Sequence, residues 1–493
     1  GFKDVLVNSK PPALHAGPGS QTNLIRAAFY TPWKADAKSS LRQFGNKCNT
    51  IIPEWFFINP HTYQMDNRLD TASLRVMKEK NLRIIPIISN FHSASDSVHQ
   101  GYFDAATAHV LLNNTAIQQR FIKALVDTLN KYGLQGVNID FEELKEKNNE
   151  TLVKFQKELF QALHPQNKLV TIDISPNNED YNYKALAKYN DYIVLMAYDE
   201  HYDESVPGPI SAQKWVEAAL DQTAKEVPSS KIILGMADYG YDWSDSGRGE
   251  SISYQNALAL AEKYNAVIDY HNDSYNLHFS YVNKEFDEDR NLNVMVKHEV
   301  WFTDAGTIYN SLRFSDEYRT AGTAIWLLGS EDKRIWNFYN RDLSNSALQQ
   351  SPFNYASLSE VPSNPDDVEF QGEGELLDIQ ASPQNGKIRL EVDTAEQIIS
   401  EQTYEQLPSP FVIRKFGEDT SVANRKIILT FDDGPDPRWT PKVLDILEKE
   451  HIPATFFIVG NQGEKNIPIL RRFYKDGFEL GTHTPTHSII PDM

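Results

Sequence analysis

Two places in the chain set acids or imidazoles at spacings that suit chemistry. In "LQGVNIDFEELK", residues 134–145, Asp140 and Glu142 stand two apart at the end of an apolar run. Residues two apart in an extended strand share a face, so both carboxyl groups would project the same way. Acids buried without a purpose are costly. The second place joins "TFDDGP" to "THTPTH": Asp432 and Asp433 end a β-branched run, and His483 and His487 follow with three residues between them. One carboxylate and two imidazoles can hold a divalent cation and leave positions open for water and substrate. Neutral imidazoles with a carboxylate suit zinc first, and cobalt or nickel also fit.

These residues need a scaffold, and the apolar runs supply one. "AAFYTPW", "NTIIPEWF", "RIIPIISN", "GVNIDFE", "LVTIDISP", "YIVLMAYD", "KIILGMADYGYDW" and "GTAIWLLG" are eight strand-length runs. Between most of them lie helical patterns such as "NTAIQQRFIKALVDTLNKYG", with apolar positions recurring at three and four residues. The fold class is therefore α/β, a (β/α)8 barrel. The long gap at 244–321, between the seventh and eighth strands, reads as an α+β insertion beside the barrel mouth. Alternation turns Val137, Ile139 and Phe141 toward the helices and Asn138, Asp140 and Glu142 toward the barrel axis. The C-terminal mouth is where barrels of this kind keep their chemistry.

A chain of 493 residues is too long for one core. We divide it into an N-terminal linker at 1–24, the barrel at 25–340, a linker with a small β connector at 341–424, and a second α/β segment at 425–493. The formal charge of −20 argues against nucleic acid or an anionic membrane surface as the main partner and leaves a neutral polymer open. The single Cys48 has no internal partner and reads as a small buried hydrophobe. No apolar run reaches about 18 residues. The chain opens on "GFKDVL" without Met and stops at "SIIPDM", so both ends read as trimmed.

"QGVNIDFEE" resembles the DxxDxDxE signature of glycoside hydrolase family 18, with Gln135 and Asn138 in place of its first two Asp. "LMAYDEHYDESVPGP", "ILGMADYGYDW" and "HEVWFTDAGT" with "AGTAIWLLG" resemble the spore-cortex and cell-wall branch of that family. The resemblance implies Glu142 as general acid, Asp140 as the residue that orients the substrate's acetamido group, and Tyr198 and Asp199 as its further partners. It implies Trp326 as the subsite floor and no cofactor for the barrel. Asn138, Met196, Tyr241 and Trp55 are taken as substrate-binding; Tyr239 and Trp243 are further aromatics at strand ends where sugars stack or the rim packs. "TFDDGP" with "THTPTH" resembles the first two motifs of the carbohydrate esterase family 4 polysaccharide deacetylases. That implies Asp433, His483 and His487 as ligands of a divalent metal, zinc first, and Asp432 as catalytic base. The later motifs of that family are not in the chain, so this (β/α) barrel is expected to be partial.

Together these readings describe a bacterial enzyme hydrolysing a polymer that contains β-linked N-acetylglucosamine, coupled to de-N-acetylation. The domain order resembles exopolysaccharide proteins in which a membrane-embedded family 2 glycosyltransferase follows. The expected location is extracytoplasmic, with a membrane anchor outside this chain. A barrel that binds glycan without cutting it, and a glucosaminidase acting on peptidoglycan, are the alternatives.

Overall fold

The computed structural model describes residues 24–92, 101–245, 247–287, 291–364, 367–417 and 427–488. Packing divides the chain into two units, one holding residues 1–369 and 379–413, the other 370–378 and 414–493.

The first unit is built on a closed ring of eight parallel strands: β1 Ile25–Tyr30, β2 Thr50–Ile58, β3 Ile87–Ser89, β4 Gly136–Asp140, β5 Leu169–Ile174, β6 Tyr192–Met196, β7 Ile232–Ala237 and β8 Gly322–Trp326. Each pairs with its neighbour, and β8 closes on β1 with Ile25 opposite Gly322. Gly322 has φ +152°, and a Cβ there would lie 2.0 Å from the Ile25 carbonyl oxygen, so the seam requires glycine. The third run is interrupted at Pro86, which has no N–H to give a ladder; Arg83–Ile84 forms a short strand before the break.

The helices follow the apolar spacing. Thr115–Tyr132 buries Phe121, Ile122, Leu125 and Leu129, starts at Asn114, whose side chain accepts from the Ile117 N–H, and ends at Gly133 in the left-handed region. Inside the ring, Ile25, Ala27, Phe29, Ile52, Ile87, Val194, Ile233 and Ala324 form a separate apolar plug.

The insertion runs from Tyr239 to Phe302 rather than 244–321. Its sheet has the order Glu250–Ser253, Tyr239–Ser244, Leu292–Phe302, Asn276–Asp287, Asp269–His271, with helix Tyr254–Lys263 against it. The following helix, Ala305–Glu317, belongs to the barrel core through Ile308, Tyr309 and Leu312. The hairpin Gly386–Asp393 and Ile398–Gln406, read above as connector, also packs within the first unit. Its Ile388, Ile398 and Ile399 are buried, and the Asn310 side chain bonds both the N–H and the carbonyl of Ile399 at 2.9 and 2.8 Å. Alternation reveals such a hairpin, but not the surface that covers its apolar face.

The second unit holds three parallel strands, Thr430–Gly434, Thr455–Ile458 and Glu479–Thr482, with helices Thr440–Lys449 and Ile467–Lys475. Leu444, Leu447, Phe456 and Phe473 form its core. Among the described residues no helix is long and apolar enough to cross a membrane.

Candidate active sites

The C-terminal ends of the barrel strands open into a cavity of about 590 Å³. Glu54 and Phe57 reach it from β2, Asp140 and Glu142 from β4 and its end, Asp173 from β5, Met196, Tyr198 and Asp199 from β6 and its end, Tyr239 and Tyr241 from beyond β7, and Trp326 from β8. Val137, Ile139 and Phe141 pack outward among helix side chains. The alternation of β4 thus delivers both acids to one space.

Their protonation differs. Burial pushes the Asp140 carboxyl up to about 6, opposed by hydrogen bonds with the Ser89 and Glu142 side chains. Burial, then the negative charges of Asp140, Asp173 and Asp199, hold Glu142 well above the usual carboxylate range. Near neutral pH the proton therefore sits on Glu142 and the charge on Asp140. Two residues that no motif marks fix this geometry. Asn90 clamps the Glu142 backbone, accepting from its N–H and donating to its carbonyl, each at 3.0 Å. Tyr181 donates its hydroxyl to the Phe141 carbonyl at 3.0 Å.

Asn138 is not a substrate contact. It is fully buried, donates from Nδ2 to Asp173 Oδ2 at 2.6 Å and accepts at Oδ1 from the Thr171 hydroxyl at 2.6 Å. An amide carries no exchangeable charge at this position; it fastens Asp173 instead, an acid the sequence reading missed. Trp55 is likewise corrected. Glu54 faces the barrel interior, so its neighbour Trp55 faces outward, 0 % exposed, in the core between strands and helices. A register shift at Glu54 to Phe56 against β3 then restores Phe57 to the cavity.

At the opposite wall the Tyr239 and Tyr241 hydroxyls both donate to Asp199 Oδ1, the latter at 3.2 Å. Burial pushes Asp199 up to about 6 against these two donors. Trp326 lies nearly parallel to Tyr198, with centroids 6.4 Å apart, and meets Phe29 edge-on at 5.1 Å. That leaves a flat aromatic surface at the cavity, suited to the apolar face of a sugar ring. Trp243 packs at the rim, its Nε1 donating to the Tyr202 carbonyl at 3.2 Å.

In the second unit Asp433, His483 and His487 come together at strand ends, their ligand atoms within 4.8 Å of one another. Both imidazole Nε2 atoms face Asp433 Oδ1, at 3.2 and 3.1 Å. Asp433, Thr484 and His487 all adopt left-handed backbone conformations, φ +66°, +62° and +61°. Three such non-glycine residues at one site are a mark of a built loop. One carboxylate and two imidazoles aimed at one point fit a divalent cation. Asp432 is exposed beside them and outside the triplet.

The chain is similar to the uncharacterized glycosylase YvbX of Bacillus subtilis, 26% identical over 318 residues that span 62% of this chain and 88% of that protein. Its fold is similar to the spore cortex-lytic enzyme SleL of Bacillus cereus, 25% identical with a TM-score of 0.56, covering 66% of this chain and 76% of that one. Its C-terminal segment is similar to a peptidoglycan-N-acetylglucosamine deacetylase of Bacillus cereus, 48% identical over 65 residues, 13% of this chain and 30% of that protein. Residues 419–493 match the polysaccharide deacetylase family. Residues 25–331, more than half of the chain, match the glycosyl hydrolases family 18, and the protein belongs to that family as a glycosidase barrel followed by a polysaccharide deacetylase domain.

Proposed function

We propose that the barrel hydrolyses a polymer of β-linked N-acetylglucosamine with retention, the substrate's acetamido group serving as nucleophile. The observation that carries this reading is the convergence of Asp140 and Glu142 with Tyr198, Asp199 and Trp326 on one aromatic-floored cavity, where burial and neighbouring carboxylates favour a protonated Glu142. With the sugar over Trp326, its acetamido carbonyl oxygen attacks the anomeric carbon while Glu142 gives its proton to the glycosidic oxygen. The bond to the leaving chain breaks and an oxazolinium ring closes. Asp140 orients the acetamido N–H and balances the positive charge; Tyr198 and Asp199 hold the same group, with Met196 and Tyr241 at its border. Glu142, now a carboxylate, takes a proton from the water that reopens the ring, which restores both acetamido group and acid. Digestion of defined N-acetylglucosamine oligomers, read by mass spectrometry, tests this. Shorter oligomers are expected; intact oligomers that still bind would mark a glycan-binding barrel instead.

A second reading, peptidoglycan as the polymer, draws support from two relatives: SleL is named a spore cortex-lytic enzyme and the deacetylase a peptidoglycan enzyme. A parallel digest of peptidoglycan glycan strands separates the two. Either polymer lies outside the cytoplasm, and we place the protein there; protection from protease added to intact, wall-stripped cells would refute it.

In the second unit Asp433, His483 and His487 would hold the cation, zinc in this proposal. When bound, such an ion supplies Lewis-acid activation of water toward an acetamide carbonyl. Asp432 takes a proton at its exposed carboxylate. Zinc is expected to bind with a stoichiometry of about one, and the double variant His483→Ala, His487→Ala to weaken it at least about tenfold. Calorimetric titration checks this; unchanged affinity would remove the triplet as the site.

A further inference from the structure

β2 reads "TIIPEWFFI", nine buried residues with a single acid among them. Glu54 is 9 % exposed and lines the cavity together with Asp140, Lys34, Arg68 and Trp326. Three other buried acids of this unit meet guanidinium groups: Asp316 accepts from Arg26 at 2.9 Å, and Asp332 and Asp304 face Arg334 at 2.6 and 3.4 Å. Glu54 has no such partner, since Arg68 is engaged with Asp66 at 2.8 Å. Among the described residues nothing hydrogen-bonds its carboxyl group. Its carboxyl group lines the cavity without a protein partner, so a ligand filling that space is what could hydrogen-bond it.

We propose that Glu54 is a substrate-positioning residue, whose carboxyl group hydrogen-bonds a hydroxyl of a neutral amino sugar held beside Asp140. This rests on the reading of the barrel as an amino-sugar site and adds a residue outside the acid pair and its acetamido partners. The groups facing Glu54 are Asp140 from β4, Asp173 from β5, Lys34 beyond β1 and Arg68 from the segment after β2. Burial, then the charge of Asp140, pushes its carboxyl up to about 8, with Lys34 and Arg68 opposing. At neutral pH it is a neutral acid that donates one hydrogen bond and accepts another, as a hydroxyl does. Above about 8 it becomes an acceptor only, repelled by Asp140, and its grip on a hydroxyl weakens.

The test measures N-acetylglucosamine tetramer binding by calorimetry on the full chain carrying Glu142→Gln, which slows cleavage about 100-fold or more and removes the titration of that acid. Glu54→Leu in this background is expected to lower affinity at least about tenfold at about pH 7, and Glu54→Gln to keep it, because an amide both donates and accepts. Between about pH 7 and about pH 9.5 the parent should lose affinity several-fold and the Gln variant should not. Parent-like affinity in the Leu variant, with its melting temperature retained, would overturn the proposal. So would an alkaline loss that persists in Glu54→Gln. No binding by the parent would instead refute the amino-sugar reading, and this inference with it.

Discussion

Glu142→Gln is expected to lower turnover on N-acetylglucosamine oligomers about 100-fold or more while leaving their binding intact. The amide keeps the size and the Asn90 clamp, which grips the backbone and not the side chain. What it loses is the proton that the glycosidic oxygen must receive as the bond breaks. In the parent, kcat/KM should rise as pH passes about 6, where Asp140 becomes charged, and fall on the alkaline side as Glu142 loses its proton. The alkaline limb of hydrolysis should be absent from the residual activity of the variant. Hydrolysis at the parent rate would end the glycosidase assignment for this pair.

On a partly deacetylated polymer, the barrel should leave new reducing ends that are almost entirely N-acetylated. A sugar with a free amine in the cleavage subsite has no carbonyl oxygen to attack its own anomeric carbon. Its ammonium would also sit beside the developing positive charge. Losing a positioned intramolecular nucleophile forfeits about 7 kcal/mol or more of barrier reduction, far beyond a single hydrogen bond. Deacetylation of the polymer would then protect it from the barrel. Sequencing the products decides the matter: glucosamine at new reducing ends as often as in the starting polymer would mean that Asp140 attacks directly.

The barrel and its acid pair were legible because both rest on local periodicity. Eight apolar runs separated by helical spacing leave few architectures, and alternation alone sends Asp140 and Glu142 inward. Asn90 and Tyr181 were not legible, since each acts on the end of β4 from elsewhere in the chain and neither lies in a motif. Glu54 and Asp173 did carry a signal: each is a lone acid inside an apolar strand, the same oddity that singles out Asp140. Trp55 shows the reverse: an aromatic near a strand end looks like a sugar platform, yet the inward position of its neighbour Glu54 turns it into the core. The insertion's start at Tyr239 was hidden because β7 continues across Asp238 into the next sheet with hardly a break in its apolar character.

The buried acids of the cavity also affect how the fold tolerates alkali. A carboxyl held above its unfolded value keeps a proton that the unfolded chain gives up, so the native state is disfavoured as pH rises between the two values. For Glu54 that window runs from its ordinary 4.5 to about 8 and corresponds to a few kcal/mol. Asp140 and Asp199 add narrower windows that end near 6. The melting temperature of the barrel should therefore fall between about pH 5 and about pH 8, and Glu54→Gln should recover part of the loss. A melting curve unmoved by that substitution at pH 8 would show that the unfolded chain holds this proton as firmly. The cavity proposed to bind sugar is then also a place where the barrel loses stability in base.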